Sequence, residues 1–216
     1  NARIEIVGYA MSAAEAMRKI PDTKPDVITL DVEMPRMNGI DFLKELIPTN
    51  PLPVVLVSSL NLRVFDALHA GAVDFVRKPD GTQSPEAFIQ SLAQKVVVAA
   101  NSKVRRPRAM TEASAVLPAA KLGGNAQVVI GLGASTGGTE ATLEVLKRLP
   151  DDIPGMVIVQ HMPVGFTQMY AERLNRLCAM EVREAKNGDE VKRGLALLAP
   201  ADFQCRMQRT PSGGYI

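Results

Sequence analysis

Short apolar runs that end in a polar residue alternate with stretches of helical periodicity along nearly the whole chain, and this alternation restricts the fold to α/β units built on parallel sheets. Residues 4–10 predict a strand. Ser12 and Glu15 form a capping box that opens a helix running to about Ile20. Residues 27–30 predict a second strand ending in Asp31. A helix is expected from near Gly39 to just before Pro48, then a strand over 54–57 ending in Ser58-Ser59, then a helix over 62–70 that stops at Gly71. Residues 74–76 predict a short strand leading into Lys78-Pro79. Phe88, Ile89, Leu92, Val96 and Ala99 recur at helical spacing and predict a long amphipathic helix. Residues 101–127 break the rhythm: Pro107, Pro118, Gly123 and Gly124 punctuate a stretch of Ala, Ser, Lys and Arg with little periodicity, as in a linker. From Val128 the alternation resumes, with a helix over 136–149, a strand over 156–159, a helix from Thr167 to about Cys178, and short strands around Val182 and Leu195. The expected organisation is therefore a first domain over 1–100, a linker over 101–127 and a second domain over 128–216.

A chain of 216 residues has room for two such domains. Hydrophobic residues at 46% and charged residues at 22% permit a packed core and exclude wholesale disorder. The net charge of +2 selects no partner. Lys103-Val104-Arg105-Arg106-Pro107-Arg108 is short, broken by proline and free of aromatics, so it reads as solvated linker, and no nucleic-acid partner is expected. Cys178 and Cys205 make no C-x-x-C pair and are too few for a zinc site or a disulfide framework, which leaves small fillers in a reducing compartment. No apolar stretch approaches the roughly 20 residues of a bilayer span and no signal-peptide pattern appears, so a cytoplasmic protein without membrane insertion is expected. The chain opens on Asn1 inside a predicted strand and closes at Gly213-Gly214-Tyr215-Ile216 in a predicted hairpin. Both ends are expected to be cuts.

Gly133-Ala134-Ser135-Thr136-Gly137 reads G-x-S-x-G between an apolar run and a helical pattern, which puts Ser135 on a strand-to-helix turn, the architecture of a nucleophile elbow. A serine hydroxyl needs a base within hydrogen-bond reach, and the next apolar run ends in Gln160-His161. In a parallel sheet both residues arrive at the carboxyl edge, where such sheets bind ligands. A dinucleotide fingerprint would require glycine where Thr136 stands and an acidic residue after the next strand, and a P-loop would require a lysine that is absent. The motif by itself leaves a nucleophile and a structural glycine turn both standing. The order of residues also departs from α/β-hydrolases, whose acid comes between serine and histidine. His69, in a helical Ala-Leu-His-Ala context, reads as structural.

In the first half Asp31, Ser58 and Lys78 stand at three successive strand ends. A carboxylate that accepts a phosphoryl group needs a divalent cation, a hydroxyl for one phosphoryl oxygen and a cation for another, and these three side chains suit those roles. The words around them, Leu30-Asp31-Val32-Glu33-Met34-Pro35-Arg36-Met37-Asn38-Gly39, Val57-Ser58-Ser59 and Ala70-Gly71-Ala72-Val73-Asp74-Phe75-Val76-Arg77-Lys78-Pro79, resemble the receiver domain of two-component response regulators. The resemblance implies a flavodoxin-like, doubly wound parallel sheet and a phosphoacceptor at Asp31. It also implies Mg²⁺ held by Asp31 and the backbone carbonyl of Glu33, and a phosphorylation-sensitive aromatic at Phe75. Receivers open with a strand ending in an acidic pair, followed by a helix. This chain starts after both, so a hole in the sheet is expected between residues 4–10 and the strand that ends in Asp31.

Gly133-Ala134-Ser135-Thr136-Gly137-Gly138-Thr139-Glu140-Ala141, Ile158-Val159-Gln160-His161-Met162-Pro163 with Phe166-Thr167, Arg173-Leu174-Asn175 and Glu184-Ala185-Lys186-Asn187-Gly188-Asp189 resemble the catalytic domain of the chemotaxis protein-glutamate methylesterase family, CheB. A receiver, a linker and this domain in that order are the family's layout. The resemblance implies a second doubly wound α/β domain and a methylesterase that hydrolyses glutamate methyl esters, and deamidates glutamines, on methyl-accepting chemotaxis receptors. Ser135 would be the nucleophile, His161 the base and the Thr136 backbone N–H an oxyanion donor. Hydrolysis itself would need no cofactor. A chemotaxis histidine kinase would supply the phosphoryl group. The family's triad aspartate lies nearer the C-terminus in a segment this chain does not contain, and neither Asp189 nor Asp202 matches its motif. The competing expectation is a response regulator whose second domain is a non-catalytic binding module.

Overall fold

The computed structural model describes residues 2–33, 39–59, 63–81, 84–102, 104 and 128–216. The chain divides into two compact units, Asn1–Ala109 and Met110–Ile216. The expected linker over 101–127, including most of its basic run, lies almost entirely outside the described residues, as do Met34 to Asn38 of the first motif and Leu62 at the expected start of a helix.

The first unit runs α1 (Ala13–Thr23), β1 (Ile28–Asp31), α2 (Gly39–Thr49), β2 (Val54–Ser58), α3 (Arg63–His69), β3 (Asp74–Arg77) and α4 (Pro85–Ala100). The strands form a parallel sheet in the order β1-β2-β3, with Asp31 beside Val57 and Ser58 beside Arg77. Val54, Val55 and Leu56 of the central strand are fully buried, as expected of a parallel strand covered on both faces. Phe42, Leu43, Leu46 and Ile47 of α2 and Val64, Phe65 and Leu68 of α3 supply the covering side chains. Ser84 and Pro85 open α4 as expected of a cap and a first-turn proline, the Ser84 hydroxyl accepting the Ala87 N–H at 3.2 Å.

Residues 4–10 form no strand, contrary to the periodicity. Ile6 is 87% exposed and Tyr9 76% exposed. Lys19 donates to the Tyr9 carbonyl at 2.9 Å, tying the segment to α1. A strand exists only by pairing, and no described strand borders this one. The expected hole does not form either: β1, β2 and β3 are contiguous, and the segment lies outside their sheet. Two helices run past their expected ends. Pro21 falls in the last turn of α1, closed by Lys24 in the left-handed region with its N–H on the Ile20 carbonyl, and Pro48 falls in the last turn of α2. A proline there forfeits one hydrogen bond rather than breaking the helix, and in α2 the Thr49 hydroxyl takes up the Glu45 and Leu46 carbonyls.

The second unit runs β4 (Ile130–Ala134), α5 (Gly138–Leu146), β5 (Met156–Gln160), α6 (Phe166–Leu177), β6 (Glu181–Glu184) and β7 (Leu195–Leu198). Its sheet is parallel in the order β4-β5-β7-β6, so the last strand enters between the two before it. Leu195 to Leu198 are all buried, and Leu143, Leu146, Phe166, Tyr170 and Leu174 close over the sheet. The Tyr170 hydroxyl donates to the Thr139 carbonyl at 2.6 Å, and Arg173 meets Glu140 at 2.8 Å, both joining α6 to α5. α5 begins two residues later than the periodicity predicts because Thr136 and Gly137 are used in the turn that leaves β4. The predicted closing hairpin is present, with Arg209 bridged to Tyr215 in antiparallel fashion.

Candidate active site

Parallel pairing in the first unit brings three sequence-distant groups to one sheet edge. Asp31 ends β1, Ser58 ends β2, and Lys78 follows β3 with its backbone N–H on the Ser58 carbonyl at 2.8 Å. Lys78 Nζ lies 2.8 Å from Asp31 Oδ2 and 3.6 Å from Glu33 Oε2. The hydrogen bond to Asp31, aided by the charge of both carboxylates, holds the Lys78 ammonium above its ordinary range, with burial opposing. Asp31 Oδ1 accepts the Glu33 N–H at 2.9 Å, and Ser59 donates to Glu33 Oε1 at 2.7 Å. Gly39 sits where an added Cβ would stand 2.8 Å from the Asp31 carbonyl oxygen, so the chain passes this close only without a side chain.

Ser58 is fully buried, and its hydroxyl has no hydrogen-bond partner among the described residues. An orphaned buried hydroxyl is costly, and one at the edge of a ligand crevice suits an oxygen-bearing ligand. Phe75 is 2% exposed and packs edge-on against Phe65 at 6.5 Å. Among the described residues no three His, Cys, Asp or Glu side chains gather as a metal cage. Mg²⁺ commonly takes one or two carboxylates and keeps its waters, so the Asp31 carboxylate with the Glu33 backbone carbonyl fits as a partial ligand set.

In the second unit Ala134 pairs with Gln160, and the ladder extends one step further through the His161 N–H on the Ala134 carbonyl at 3.0 Å. Ser135 and His161 therefore leave adjacent strands side by side. Ser135 Oγ stands 3.5 Å from His161 Nδ1, with both residues exposed at the open edge. That separation is long for a finished hydrogen bond and within the range of catalytic pairs without substrate. With Nδ1 as acceptor the imidazole proton belongs on Nε2, the ring nitrogen turned away from the serine. Gly137, at φ 76°, makes the turn, and Gly138 starts α5 with its N–H on the Ser135 carbonyl at 2.7 Å. Thr136 lies within that turn, ahead of the helix.

Among the described residues no carboxylate meets the His161 ring. Asp189 is committed to its own turn, bonded to the Arg183 guanidinium and accepting the Lys186 N–H at 2.6 Å. The Arg183 hydrogen bond holds its carboxyl below the usual range, with burial opposing and the Lys186 N–H assisting. Asp202 is exposed in a left-handed turn at φ 64°. His69 lies exposed in the last turn of α3, in the other unit.

Gln160 is a site residue that motif reading passes over, because the apolar run ahead of it explains it as a strand end. It is 6% exposed, and its Nε2 donates to the Ser135 carbonyl at 3.0 Å and the His161 carbonyl at 3.3 Å. The signal available in sequence was a polar residue at a fully buried strand position immediately before the histidine.

An aspartate, serine and lysine on one parallel sheet, followed by a serine and histidine on the edge of another, define a two-unit α/β protein with a receiver-type and a hydrolase-type constellation. The CheB methylesterase family model matches residues 130–214, and the response regulator receiver domain model matches residues 1–90. The protein-glutamate methylesterase/protein-glutamine glutaminase 2 of Syntrophomonas wolfei is 49% identical over 215 residues, which cover 99% of this chain and 62% of that protein. The protein-glutamate methylesterase/protein-glutamine glutaminase of Syntrophotalea carbinolica is 47% identical, covering 98% of this chain and 62% of that one. Among solved structures, the Thermotoga maritima CheB methylesterase catalytic domain matches at 38% identity and a TM-score of 0.39, over 40% of this chain and 46% of that chain. Along nearly its whole length the chain is similar to proteins of the CheB family. It spans 62% of the length of these two curated relatives.

Proposed function

We propose that the protein of which this chain is part hydrolyses glutamate methyl esters, and deamidates glutamines, on methyl-accepting chemotaxis receptors under control of receiver phosphorylation. The observation that carries the reading is the approach of Ser135 Oγ to His161 Nδ1 at the ends of adjacent strands, in a chain similar to this family. The domains are proposed as receiver over 1–100, linker over 101–127 and methylesterase over 128–216.

Ser135 Oγ attacks the γ-carbonyl carbon of the ester while His161 Nδ1 takes its proton. The tetrahedral intermediate collapses as His161 returns that proton to the departing methoxide, and methanol leaves. Water, deprotonated by His161, then attacks the acyl-serine and releases glutamate with Ser135 restored. With a glutamine substrate the leaving group is ammonia. Backbone N–H donors stabilise the oxyanion, and the Thr136 N–H, next to the nucleophile at an elbow, is the proposed donor.

In the receiver, Asp31 is the proposed phosphoacceptor for a chemotaxis histidine kinase. The buried Ser58 hydroxyl and Lys78 ammonium each take a phosphoryl oxygen, and Phe75 is the proposed phosphorylation-sensitive aromatic. Asp31 and the Glu33 backbone carbonyl would hold Mg²⁺, which would supply charge neutralisation during transfer. No helix among the described residues is long and apolar enough to cross a membrane, and action from the cytoplasm on the receptors' cytoplasmic parts is the setting this reading takes.

A non-catalytic second domain is the rival. The discriminating experiment measures methanol release from methylated receptor membranes by the protein encoded by the complete reading frame. Release that disappears with Ser135→Ala is the expected result; no release above a blank by the parent would favour the binding module.

A further inference from the structure

We infer that Gln160 is a positioning residue for the Ser135–His161 pair, its carboxamide clamping the backbone of both residues and Gly138 forming the notch that seats it; this rests on the nucleophile reading above. Both Nε2 hydrogens are used, one on each carbonyl, across two chain segments that are 25 residues apart in sequence. The amide orientation is decided by this pattern, since the reverse would set Oε1 against two carbonyl oxygens. The Ser135 carbonyl is then held twice, by Gln160 Nε2 at 3.0 Å and by the Gly138 N–H at 2.7 Å.

That carbonyl shares a planar trans peptide with the Thr136 N–H, which points the opposite way. Fixing the oxygen therefore fixes the direction of the proposed oxyanion donor as well as the start of the serine side chain. The second bond does the same for the residue bearing the base. The seat is equally specific: a Cβ on Gly138 would stand 2.6 Å from Gln160 Oε1 and 2.5 Å from Ala134 Cβ. Gln160 Oε1 is buried without a hydrogen-bond partner among the described residues. Leaving a buried acceptor unmet is destabilising, and an apolar side chain of similar size would avoid that cost. Stability alone does not account for an amide here, whereas the geometry of its two N–H bonds does.

The test uses the complete reading frame, methylated receptor membranes and rates per folded molecule. Gln160→Met keeps length and removes both donors; Gly138→Ala keeps the amide and displaces it. Both are expected to lower kcat by about ten- to a hundredfold, as small misplacements of reacting groups do, with KM within about threefold of the parent. The midpoint of the pH profile should stay in place, because the amide acts on backbone and not on the imidazole. A folded Gln160→Met or Gly138→Ala protein within about twofold of the parental kcat would overturn the inference, as would a shifted pH midpoint. So would an effect confined to the melting temperature. Ser135→Ala is assayed alongside: if it keeps parental turnover, the nucleophile reading fails first and takes this inference with it. If it is inactive while Gln160→Met is not impaired, the positioning role alone fails.

Discussion

In the proposed mechanism Ser135 and His161 share one proton transfer, so their losses should not add. Each alanine substitution in the complete protein is expected to lower methanol release by at least about 10³-fold, with the double mutant little worse than either single mutant. Multiplicative losses, measured on the same membranes, would show that the two side chains work independently. Asp189 makes a separate prediction about acid stability. Its carboxyl is held low by Arg183, so its contribution is fully present above the unfolded carboxylate value of about 4 and is lost as pH falls through the lower folded value. Asp189→Asn should therefore destabilise the protein at neutral pH and narrow its difference from the parent at acid pH, read from melting temperatures across pH 2–7. An unchanged difference across that range would count against the Arg183 pairing.

At the scale of elements, α4 is fastened to β3 by a buried ion pair as well as by apolar packing. Lys95 Nζ lies 2.7 Å from Asp74 Oδ1, with side chains 9% and 8% exposed, and the Phe75 N–H also donates to Asp74 Oδ1. The ammonium stands 6.0 Å from the centre of the Phe75 ring. Around it Ala99, Val55 and Val76 pack with Phe88 and Leu92. Removing one partner strands the other as a buried charge, so Lys95→Met should cost about 3–5 kcal/mol in urea denaturation. Adding Asp74→Asn should return part of that loss, since it removes the buried charge that Lys95 had balanced. A single mutant at parental stability would show that the carboxylate is hydrated or neutral in the fold.

For the whole molecule, the proposed phosphoacceptor, Asp31, belongs to the first unit, and the serine–histidine pair belongs to the second. Asp31→Asn in the complete protein should bring the ratio of hydrolysis with and without a small phosphodonor to one, because an amide forms no acyl phosphate. Stimulation of the mutant equal to that of the parent would place control elsewhere.

Much of this was legible in the one-dimensional pattern. Parallel strands covered on both faces read as apolar runs, turns require glycine at set places, and strand ends name the crevice residues, so Asp31, Ser58, Lys78, Ser135 and His161 could be marked before any fold was known. Those signals are local, carried by a few neighbouring residues. What required the tertiary structure depends on distant partners. Residues 4–10 have the composition of a strand and are left unpaired, because a strand is made by its neighbour. β7 enters between β5 and β6, an order no local period encodes. Gln160 looks like the polar end of a strand until the fold sets the Ser135 carbonyl and the Gly138 notch against its amide, and Lys95 looks like a solvated helix charge until β3 brings Asp74 beneath it. Periodicity records which side of an element is buried, whereas the identity of what lies against that side is decided only when the chain closes on itself.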